Sequence, residues 1–364
     1  MTDQGSAAST ATPAPLLDVR DLRTAFRTSR GWVRAVDGVS LHVERGRVLG
    51  IVGESGSGKS VLSRTAMGTV RATENVRVTG TVRFEDVEIT TAPISELRKL
   101  WGKEIAMIFQ DPMSALNPVV KVGRQITEGL QVHLGISNRA ATVRAVELLE
   151  AVGIPEAKRR MSDYPGGLSG GMRQRVSIAI ALSCNPTLLF ADEPTTALDV
   201  TVQAQILDLL AEEQRERDMS VVIVTHDLGV VAGYADEIAV MYAGRVVERA
   251  PTKVLFAAMR MPYTAALFES IPKLTDPSHT KLTVIEGRLP DPVKPLTGCR
   301  FAPRCPLAQD RCLEEEPPLL PAETPGHEYA CWFPIAAPRD ERRDTPPVAG
   351  LDERAVVDTA TRTS

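Results

Sequence analysis

The sequence predicts an α/β protein built on a mainly parallel central sheet. Short apolar stretches such as VLGIV, TLLFADEP and SVVIVTHD alternate with longer segments in which apolar residues recur every three or four positions. The first pattern is typical of strands buried on both faces, and the second of helices. Because ligands bind at the carboxyl ends of such strands, the polar residues that follow each stretch are candidates for a functional site.

Each element has its own signal. LLDVRDL, RAVDGVSLHV and RVLGIVG are predicted strands, and KSVLSRTAMG is the first predicted helix. GTVRFEDVEI indicates a strand pair, and EIAMIFQ one more strand. Residues 118–160 are predicted to be helical, as in RAATVRAVELLEAVG, where apolar residues lie three and four positions apart. Helix RQRVSIAIALSCN then leads into TLLFADEP, and helix TVQAQILDLLAEEQRERD leads into SVVIVTHD.

Composition limits the classes of function. The chain has 364 residues, of which 43% are hydrophobic and 24% charged, and its net charge is -4. These values are ordinary for a globular protein and unlike those of most nucleic-acid binders, which are basic. No apolar run approaches the roughly 18 residues that span a bilayer, and the N-terminus lacks the pattern of a secretory signal. We therefore expect a cytoplasmic protein that reaches a membrane through partners.

Four segments differ in composition. Residues 1–15 are rich in Ala, Ser, Thr and Pro, and residues 336–364 are charged and lack aromatic side chains, so both are predicted to be disordered. Residues 16–255 hold the alternating strands and helices. Residues 256–335 are rich in proline and contain four of the five cysteines, which indicates a small irregular domain.

The stretch GESGSGKS fits the phosphate-binding pattern G-x-x-x-x-G-K-[ST], and it lies between a predicted strand and a predicted helix, as that pattern requires. Its glycines let backbone N–H groups surround phosphate oxygens, and the start of the helix favours negative charge. Lys59 is expected to reach the β- and γ-phosphates, and the Ser60 hydroxyl to bind Mg²⁺. The predicted nucleotide-binding residues of this loop are Gly53, Ser55, Gly56, Ser57, Gly58, Lys59 and Ser60.

The stretch LLFADEP ends an apolar strand in two carboxylates. Alone this signal is weak, because many strands end in solvent. Beside a phosphate-binding loop it is strong, because an acid at a strand end can face the Mg²⁺ of the neighbouring loop. Asp192 is expected to support the metal and Glu193 to polarise the attacking water.

The stretch LSGGMRQR places a Ser-Gly-Gly turn at the start of another helix, which is a second anion-binding arrangement. One phosphate loop and a second phosphate-binding helix start predict that two chains share the nucleotide. The stretch resembles the signature of ABC ATPases, with Met172 where the family usually has Gln. The resemblance implies that Ser169, Gly170 and Gly171 bind nucleotide held by the opposite chain.

The other motifs of that family follow in the usual order, and the resemblance covers residues 16–250. Gln110 ends the strand IAMIFQ at the Q-loop position, Asp199 lies in the Ala-Leu-Asp of the D-loop, and His226 follows the strand VVIVT as the switch histidine. The resemblance implies that Gln110 senses Mg²⁺ and the attacking water. It also implies that His226 contacts the γ-phosphate and that Asp199 acts across a dimer.

The family's architecture is a RecA-like core with an antiparallel β subdomain and a helical signature subdomain, so we expect these three parts here. Members also stack an aromatic ring on adenine upstream of the phosphate loop. Phe26 is the best match for that ring, and Trp32 is the alternative because the loop there is lengthened.

Two further stretches, DPMSALNPVVKVGRQITEGL and YPGGLSGGMRQR, resemble the oligopeptide/dipeptide importer branch of the ABC family. So do IEGRLPDP, GCRFAPRCP and the segment Met261-Pro-Tyr-Thr, where the branch usually has His-Pro-Tyr-Thr. With Met261 in place of the histidine, we interpret Pro-Tyr-Thr as a docking turn.

This resemblance implies ATP-driven uptake of peptides at the cytoplasmic face of the membrane. The implied partners are a second ATPase subunit, two transmembrane permeases and, indirectly, an extracytoplasmic peptide-binding protein, with no nucleic acid. Importers of nickel and other small solutes share the subtype and are an alternative. A soluble ABC ATPase acting on nucleic acid or ribosomes is disfavoured by the single nucleotide motif and the lack of a long coiled coil.

The four C-terminal cysteines are Cys299, Cys305, Cys312 and Cys331. Four thiolates suit either a tetrahedral zinc ion or an iron–sulfur cluster. Zinc sites commonly use two cysteines separated by two to four residues, and no such pair occurs here. The wider spacing fits a cluster somewhat better, and the branch resemblance implies a [4Fe–4S] centre, with Zn²⁺ and unliganded thiols as alternatives. Cys184, among apolar neighbours, is predicted to be a buried core thiol.

Overall fold

The computed structural model of the protein describes residues 14–195, 200–270, 285–294 and 296–336. The N-terminal segment and the tail that the sequence predicts to be disordered lie almost wholly outside these ranges.

Within the described residues the strands alternate with helices as the sequence predicts. The strands are β1 (Leu17–Thr28), β2 (Gly31–Val43), β3 (Val48–Val52), β4 (Val76–Phe84), β5 (Val87–Glu88), β6 (Ile105–Ile108), β7 (Leu188–Asp192), β8 (Ser220–Thr225), β9 (Glu237–Tyr242), β10 (Arg245–Pro251), β11 (Leu320–Pro321) and β12 (Glu328–Tyr329). The helices are α1 (Lys59–Ala66), α2 (Ile94–Leu100), α3 (Pro112–Ala115), α4 (Val122–Leu134), α5 (Asn138–Ala151), α6 (Ala157–Arg160), α7 (Gly170–Leu182), α8 (Val200–Arg217), α9 (Leu228–Ala232), α10 (Thr252–Ala257), α11 (Pro262–Glu269) and α12 (Asp310–Glu314).

The larger sheet has the strand order β11-β12-β10-β9-β3-β8-β7-β6. Strands β9, β3, β8, β7 and β6 run parallel to one another, so the predicted parallel core is confirmed. Every residue of β3, β7 and β8 is buried, which explains why their sequences are apolar apart from residues at the strand ends. The sheet therefore aligns the carboxyl ends of its parallel strands along one edge.

The C-terminal region continues this sheet instead of standing apart from it. Strand β12 pairs antiparallel with β10, matching Glu248 with Tyr329 and Arg249 with Glu328, and β11 pairs with β12. An edge strand otherwise leaves backbone N–H and C=O groups unpaired, so this addition satisfies the edge of the ATPase sheet.

The smaller sheet is antiparallel, with the order β2-β1-β4-β5. It covers one face of the central sheet, where residues such as Leu22 and Val36 share an apolar cluster with Ile51 and Phe190. The alternate residues of the central strands face a second cluster with the helical layer. The three parts implied by the family resemblance are therefore present.

The helical layer consists mainly of α4, α5 and α7, which contact one another. Ser137 caps the start of α5 by accepting a hydrogen bond from the N–H of Ala140 at 3.3 Å. Cys184 is 6% exposed and belongs to this apolar cluster, so the predicted core thiol is confirmed. Across the described part of the chain, we find no helix with the length and hydropathy needed to cross a membrane.

Candidate active site

The phosphate loop connects β3 to α1 and lies tightly against the neighbouring backbone. Gly58 has φ 105°, and a Cβ atom there would lie 2.1 Å from the carbonyl oxygen of Ala35. A Cβ atom on Gly53 would lie 2.1 Å from the carbonyl oxygen of Met241. Only glycine fits at these two positions, because any side chain would collide with backbone that cannot move aside.

Lys59, the first residue of α1, is only 4% exposed. Its ammonium group donates to the carbonyl oxygens of Gly53 at 2.7 Å and of Glu54 at 3.0 Å. Burial lowers the pKa of Lys59, and the nearby carboxylates of Glu193, Asp192 and Glu54 oppose that shift. The loop thus encloses a cation whose hydrogen-bond partners are backbone carbonyls, which phosphate oxygens can replace.

Asp192 ends β7 and is fully buried. Its Oδ1 accepts a 2.8 Å hydrogen bond from the Ser60 hydroxyl, while Oδ2 has no hydrogen-bond partner among the described residues. Burial is the largest influence on this carboxyl and raises the pKa of Asp192. A hydroxyl and a carboxylate oxygen next to a phosphate loop fit Mg²⁺, which prefers hard oxygen ligands.

Glu193 follows Asp192 and contacts two other predicted catalytic residues, Gln110 and His226. Its Oε2 accepts a 2.7 Å hydrogen bond from the Gln110 amide, and its Oε1 lies 3.3 Å from Nδ1 of His226. The backbone of Glu193 has φ 46°, a left-handed conformation that costs a non-glycine residue about 1 kcal/mol or more. Gln110, Glu193 and His226 follow β6, β7 and β8, so the aligned strand ends hold them in one group.

The signature segment lies at the start of α7. Ser169 caps this helix by accepting a 3.3 Å hydrogen bond from the N–H of Met172. A Cβ atom on Gly170 would meet no heavy atom of the described chain within 4 Å, so this helix start is open to a second molecule. Farther along α7, the buried amide of Gln174 donates to the carbonyl oxygen of Pro194 at 2.6 Å, which ties the helix to the strand end carrying Glu193.

The two candidate aromatic residues have different surroundings. Phe26 is half-buried in β1 and pairs with Val33 of β2. The ring of Trp32 carries the guanidinium of Arg77 at 4.0 Å from its centroid. Trp32 is therefore engaged in a cation–π contact on one face, and that contact would compete with a stacked base.

A cavity of about 580 Å³ lies beside the phosphate loop. Residues 33–35 and Gly56 form one wall, and residues 289–292 of the C-terminal region form the opposite wall. The two walls are joined by a 3.1 Å hydrogen bond from the N–H of Arg34 to the carbonyl oxygen of Pro292. This volume lies within the range of small-ligand sites. Neither Phe26 nor Trp32 lines the cavity.

The four C-terminal cysteines come from different elements. Cys299 and Cys305 flank the short 3-10 helix Ala302–Arg304, Cys312 lies in α12, and Cys331 follows β12. The N–H of Cys299 donates to the carbonyl oxygen of Cys312 at 2.7 Å. All four are free thiols that are buried or half-buried.

Three of these sulfurs accept a hydrogen bond from the backbone N–H two residues later in the chain. The donors are Phe301, Leu307 and Phe333, for Cys299, Cys305 and Cys331 respectively. Burial raises the pKa of all three thiols, that of Cys331 to about 11, and neighbouring cysteines add to each shift. The four thiols are thus near enough to influence one another electrostatically.

They are nevertheless not a formed metal site. Over the ranges that the structure describes, no group of three or more His, Cys, Asp or Glu side chains is arranged to hold a metal ion. Zn–S bonds of about 2.3 Å require the sulfurs to lie about 3.8 Å apart, so one ion needs a compact set of thiols. The metal centre expected from the cysteine spacing is therefore not supported by the part of the chain that the structure describes.

Comparison with known proteins assigns the family. Residues 36–196 match the family described as ABC transporter, and residues 247–312 match the one described as oligopeptide/dipeptide transporter, C-terminal region. Over 318 residues the chain is 48% identical to the oligopeptide transport ATP-binding protein AppD of Bacillus subtilis, a match that covers 87% of this chain and 96% of the relative. The chain belongs to the ATP-binding proteins of the oligopeptide/dipeptide ABC transporters.

Other relatives agree with this assignment. A putative peptide import ATP-binding protein of Brucella abortus is 50% identical over 306 residues, covering 84% of this chain and 91% of the relative. The dimeric ATP-binding cassette MJ0796, solved bound to ADP and Pi, superposes with a TM-score of 0.59 at 28% identity and covers 65% of this chain and 98% of its own. The chain is accordingly an ATP-hydrolysing ABC transporter ATPase.

Within the described residues the family's motifs fall into two groups. Those of the phosphate loop and the strand ends lie together. The signature residues Ser169, Gly170 and Gly171 lie at the exposed start of α7. The predicted D-loop residue Asp199 lies outside the described residues, so its position is not described.

Two residues of the C-terminal region, Tyr263 and Arg304, contact the phosphate loop, and neither contact was predicted from the sequence. Pro262 begins helix α11, so the segment interpreted from the sequence as a docking turn is the start of a helix. Tyr263 is fully buried, and its hydroxyl accepts a 2.9 Å hydrogen bond from the N–H of Glu54. The aromatic residue in the tail motif was the available signal for this contact. Arg304, which pairs with Glu54, gave no signal of its own.

Proposed function

We propose that this chain is the motor subunit of a peptide importer, using ATP hydrolysis to power uptake of oligopeptides or dipeptides across the cytoplasmic membrane. The observation that carries this proposal is the group at the strand ends. Gln110 and His226 both contact Glu193, next to the buried Lys59 and Asp192. The cargo is inferred from the relatives, which are named as peptide import and oligopeptide transport ATP-binding proteins.

The phosphate loop binds the triphosphate in this proposal. The backbone N–H groups of Gly53 and of residues 55–60 surround the phosphates, and Lys59 exchanges its carbonyl partners for β- and γ-phosphate oxygens. Ser60, Asp192 and Gln110 would hold Mg²⁺, which would neutralise charge on the β- and γ-phosphates. Among the described residues Oδ2 of Asp192 has no hydrogen-bond partner, which supports this assignment, since a buried carboxylate oxygen is costly unless it is satisfied.

Hydrolysis then depends on residues that touch the γ-phosphate and the water. Glu193 polarises the attacking water, Gln110 helps to place it, and His226 contacts the γ-phosphate. The left-handed backbone of Glu193 is consistent with such a role, because strained residues concentrate at functional sites. Phe26 stacks on the adenine, with Trp32 as the alternative.

A second ATPase subunit completes the nucleotide site in this proposal. Ser169, Gly170, Gly171 and Asp199 of one subunit act on nucleotide bound by the other. The open start of α7 and the dimeric state of MJ0796 support it. The partner subunit is a different ATPase, and the pair docks peripherally on two permeases at the cytoplasmic face of the membrane. An extracytoplasmic peptide-binding protein delivers the cargo, and nucleic acid is not involved.

The C-terminal cysteines bind a [4Fe–4S] cluster in the same proposal. The backbone N–H groups that point at three of the sulfurs support it, because such hydrogen bonds accompany cluster ligation. Anaerobic purification followed by iron, sulfide and zinc analysis tests this, and one zinc per chain without iron would overturn it.

The test of the motor function uses Glu193→Gln in the assembled importer. We expect this variant to lose ATP turnover and peptide uptake while it traps an ATP-bound dimer, because the water is no longer polarised. Glu147→Gln, on the exposed face of α5, is the matched control and should behave as wild type. Normal turnover by the Glu193 variant contradicts the assignment, and uptake of nickel instead of peptide by the wild-type importer contradicts the cargo.

A further inference from the structure

The C-terminal region holds the phosphate loop through one buried arginine. Arg304 directly precedes Cys305, and its side chain is 4% exposed. Its two terminal nitrogens donate to the two carboxylate oxygens of Glu54, at 2.7 Å and 2.9 Å. Glu54 is the second residue of the phosphate loop, so a fork-like ion pair joins residues that are 250 positions apart in the chain.

No N–H of Arg304 is left over for a ligand. Besides the two bonds to Glu54, Nε donates to the carbonyl oxygen of Glu286 at 2.8 Å, and the terminal nitrogens donate to the Tyr242 hydroxyl at 3.3 Å and to the carbonyl oxygen of Ile285 at 2.9 Å. A guanidinium has five N–H groups, and these five bonds use all of them. Arg304 therefore acts on the loop and does not itself bind the nucleotide.

Glu54 is held at three points. Its N–H donates to the Tyr263 hydroxyl, its carbonyl oxygen accepts from the ammonium of Lys59, and its carboxylate pairs with Arg304. Two of the three holding groups come from residues C-terminal to β10. The loop segment to which Lys59 donates is thus fixed from outside the nucleotide-binding domain.

The charge of Glu54 gives this contact a consequence for ATP. Its side chain is 26% exposed, and it lies in the loop that receives a triphosphate. An unpaired carboxylate there would repel the phosphates, and water would screen the repulsion only in part. The guanidinium neutralises that carboxylate at close range.

We propose that Arg304 is a positioning residue for ATP binding, which acts through Glu54 by neutralising its carboxylate beside the site of the triphosphate. ATP affinity in this protein therefore depends on the C-terminal region, in the segment that also carries the first two of its four cysteines. The inference rests on ATP binding at this loop, as in the proposed function.

A purely structural tie between the two regions is the rival explanation, and a pair of variants separates the two. Arg304→Ala leaves the charge of Glu54 uncompensated, and we expect it to weaken ATP affinity about tenfold or more, because removing one partner of a buried pair is strongly unfavourable. Adding Glu54→Gln removes that charge without restoring any packing, and we expect affinity to return to within about threefold of wild type. A structural tie predicts no such recovery.

The measurement is isothermal titration of the purified full-length chain with ATP, together with steady-state turnover in the assembled importer. We expect the Arg304→Ala loss to appear in KM more than in kcat, since ATP binding and not the chemical step is affected. The matched control is Arg249→Ala. Arg249 is also largely buried and pairs with Glu328 of the C-terminal region, but it contacts the sheet edge. The Arg249→Ala substitution should lower the thermal midpoint of the chain and leave its ATP affinity unchanged.

Three results overturn the proposal. They are unchanged ATP affinity in a folded Arg304→Ala chain, an equal loss of affinity in Arg249→Ala, and failure of Glu54→Gln to restore affinity in the double variant.

If Arg304→Ala does not fold, the single variant Glu54→Gln tests the proposal instead. We expect it to bind ATP as well as wild type or better, and a tenfold loss there contradicts the charge argument. Failure of the wild-type chain to bind ATP would instead count against the proposed function itself.

Discussion

The nucleotide site and the C-terminal cysteine region fix their polar groups in different ways. At the nucleotide site, side chains hold one another, as Ser60 does with Asp192 and as Gln110 does with Glu193. In the cysteine region, sulfurs are held by backbone N–H groups of their own loops and by apolar neighbours. The first arrangement joins the ends of β3, β6, β7 and β8, whereas the second is local. Substitutions should therefore change the reaction rate in the first region and stability in the second.

The largest effect should come from His226→Ala. His226 lies 3.3 Å from Glu193, and removing one group that stabilises charge in the transition state typically lowers kcat by about 10²–10³-fold. We expect kcat for ATP to fall by this amount with little change in the thermal midpoint. His42→Ala, in the smaller sheet, serves as the control for removing an imidazole. An activity within about threefold of wild type would remove His226 from the catalytic group.

Cys331→Ser is expected to lower stability and leave the rate of ATP hydrolysis nearly unchanged. If the four cysteines bind a cluster, losing one ligand should remove most of the iron and destabilise the chain by about 2–3 kcal/mol, because metal binding contributes to folding. Iron analysis and thermal unfolding measure the two effects. Cys184→Ser is the matched control, since that thiol lies in the helical layer, and it should keep the iron. Equal iron in both variants would show that Cys331 is not a ligand.

These two regions also differ in how much the sequence could predict. Asp192 and Glu193 were predictable because an apolar strand precedes them and the carboxyl ends of parallel strands meet at one edge. The pairing of Arg304 with Glu54 was not, because it joins an irregular loop to a glycine-rich loop and neither has a periodic pattern. Cysteine spacing indicated that the thiols gather, but it held no information about the distances between them.

A smaller effect separates the two aromatic candidates. A base stacked on an aromatic ring contributes about 1–3 kcal/mol, so Phe26→Ala should raise KM for ATP by about fivefold or more. Trp32→Ala should change KM less than twofold, because its ring already carries Arg77. Both variants keep the phosphate loop intact, so kcat should change little in either. If Trp32→Ala raised KM more than Phe26→Ala did, Trp32 and not Phe26 would be the residue that stacks on adenine.

The smallest effect should be a gain of stability in Asp192→Asn. Burial raises the pKa of Asp192, so the folded chain binds its proton more tightly than the unfolded chain does, and stability falls as the pH rises through that range. At neutral pH the ionised carboxylate therefore costs the nucleotide-free protein stability. We expect the Asn variant to be more stable by about 0.5–1 kcal/mol.

That gain should shrink as the pH falls through the pKa of Asp192 in the folded chain, because the wild-type carboxyl is then neutral as well. Adding MgATP should reverse the order, since the wild type gains stability from the ligand and the Asn variant does not. Denaturant unfolding with and without MgATP at two pH values measures both differences. A variant that is less stable without nucleotide would show that Asp192 is held for the fold. The expected result would show that the buried carboxylate of Asp192 lowers the stability of the nucleotide-free protein and serves to bind the metal and the nucleotide.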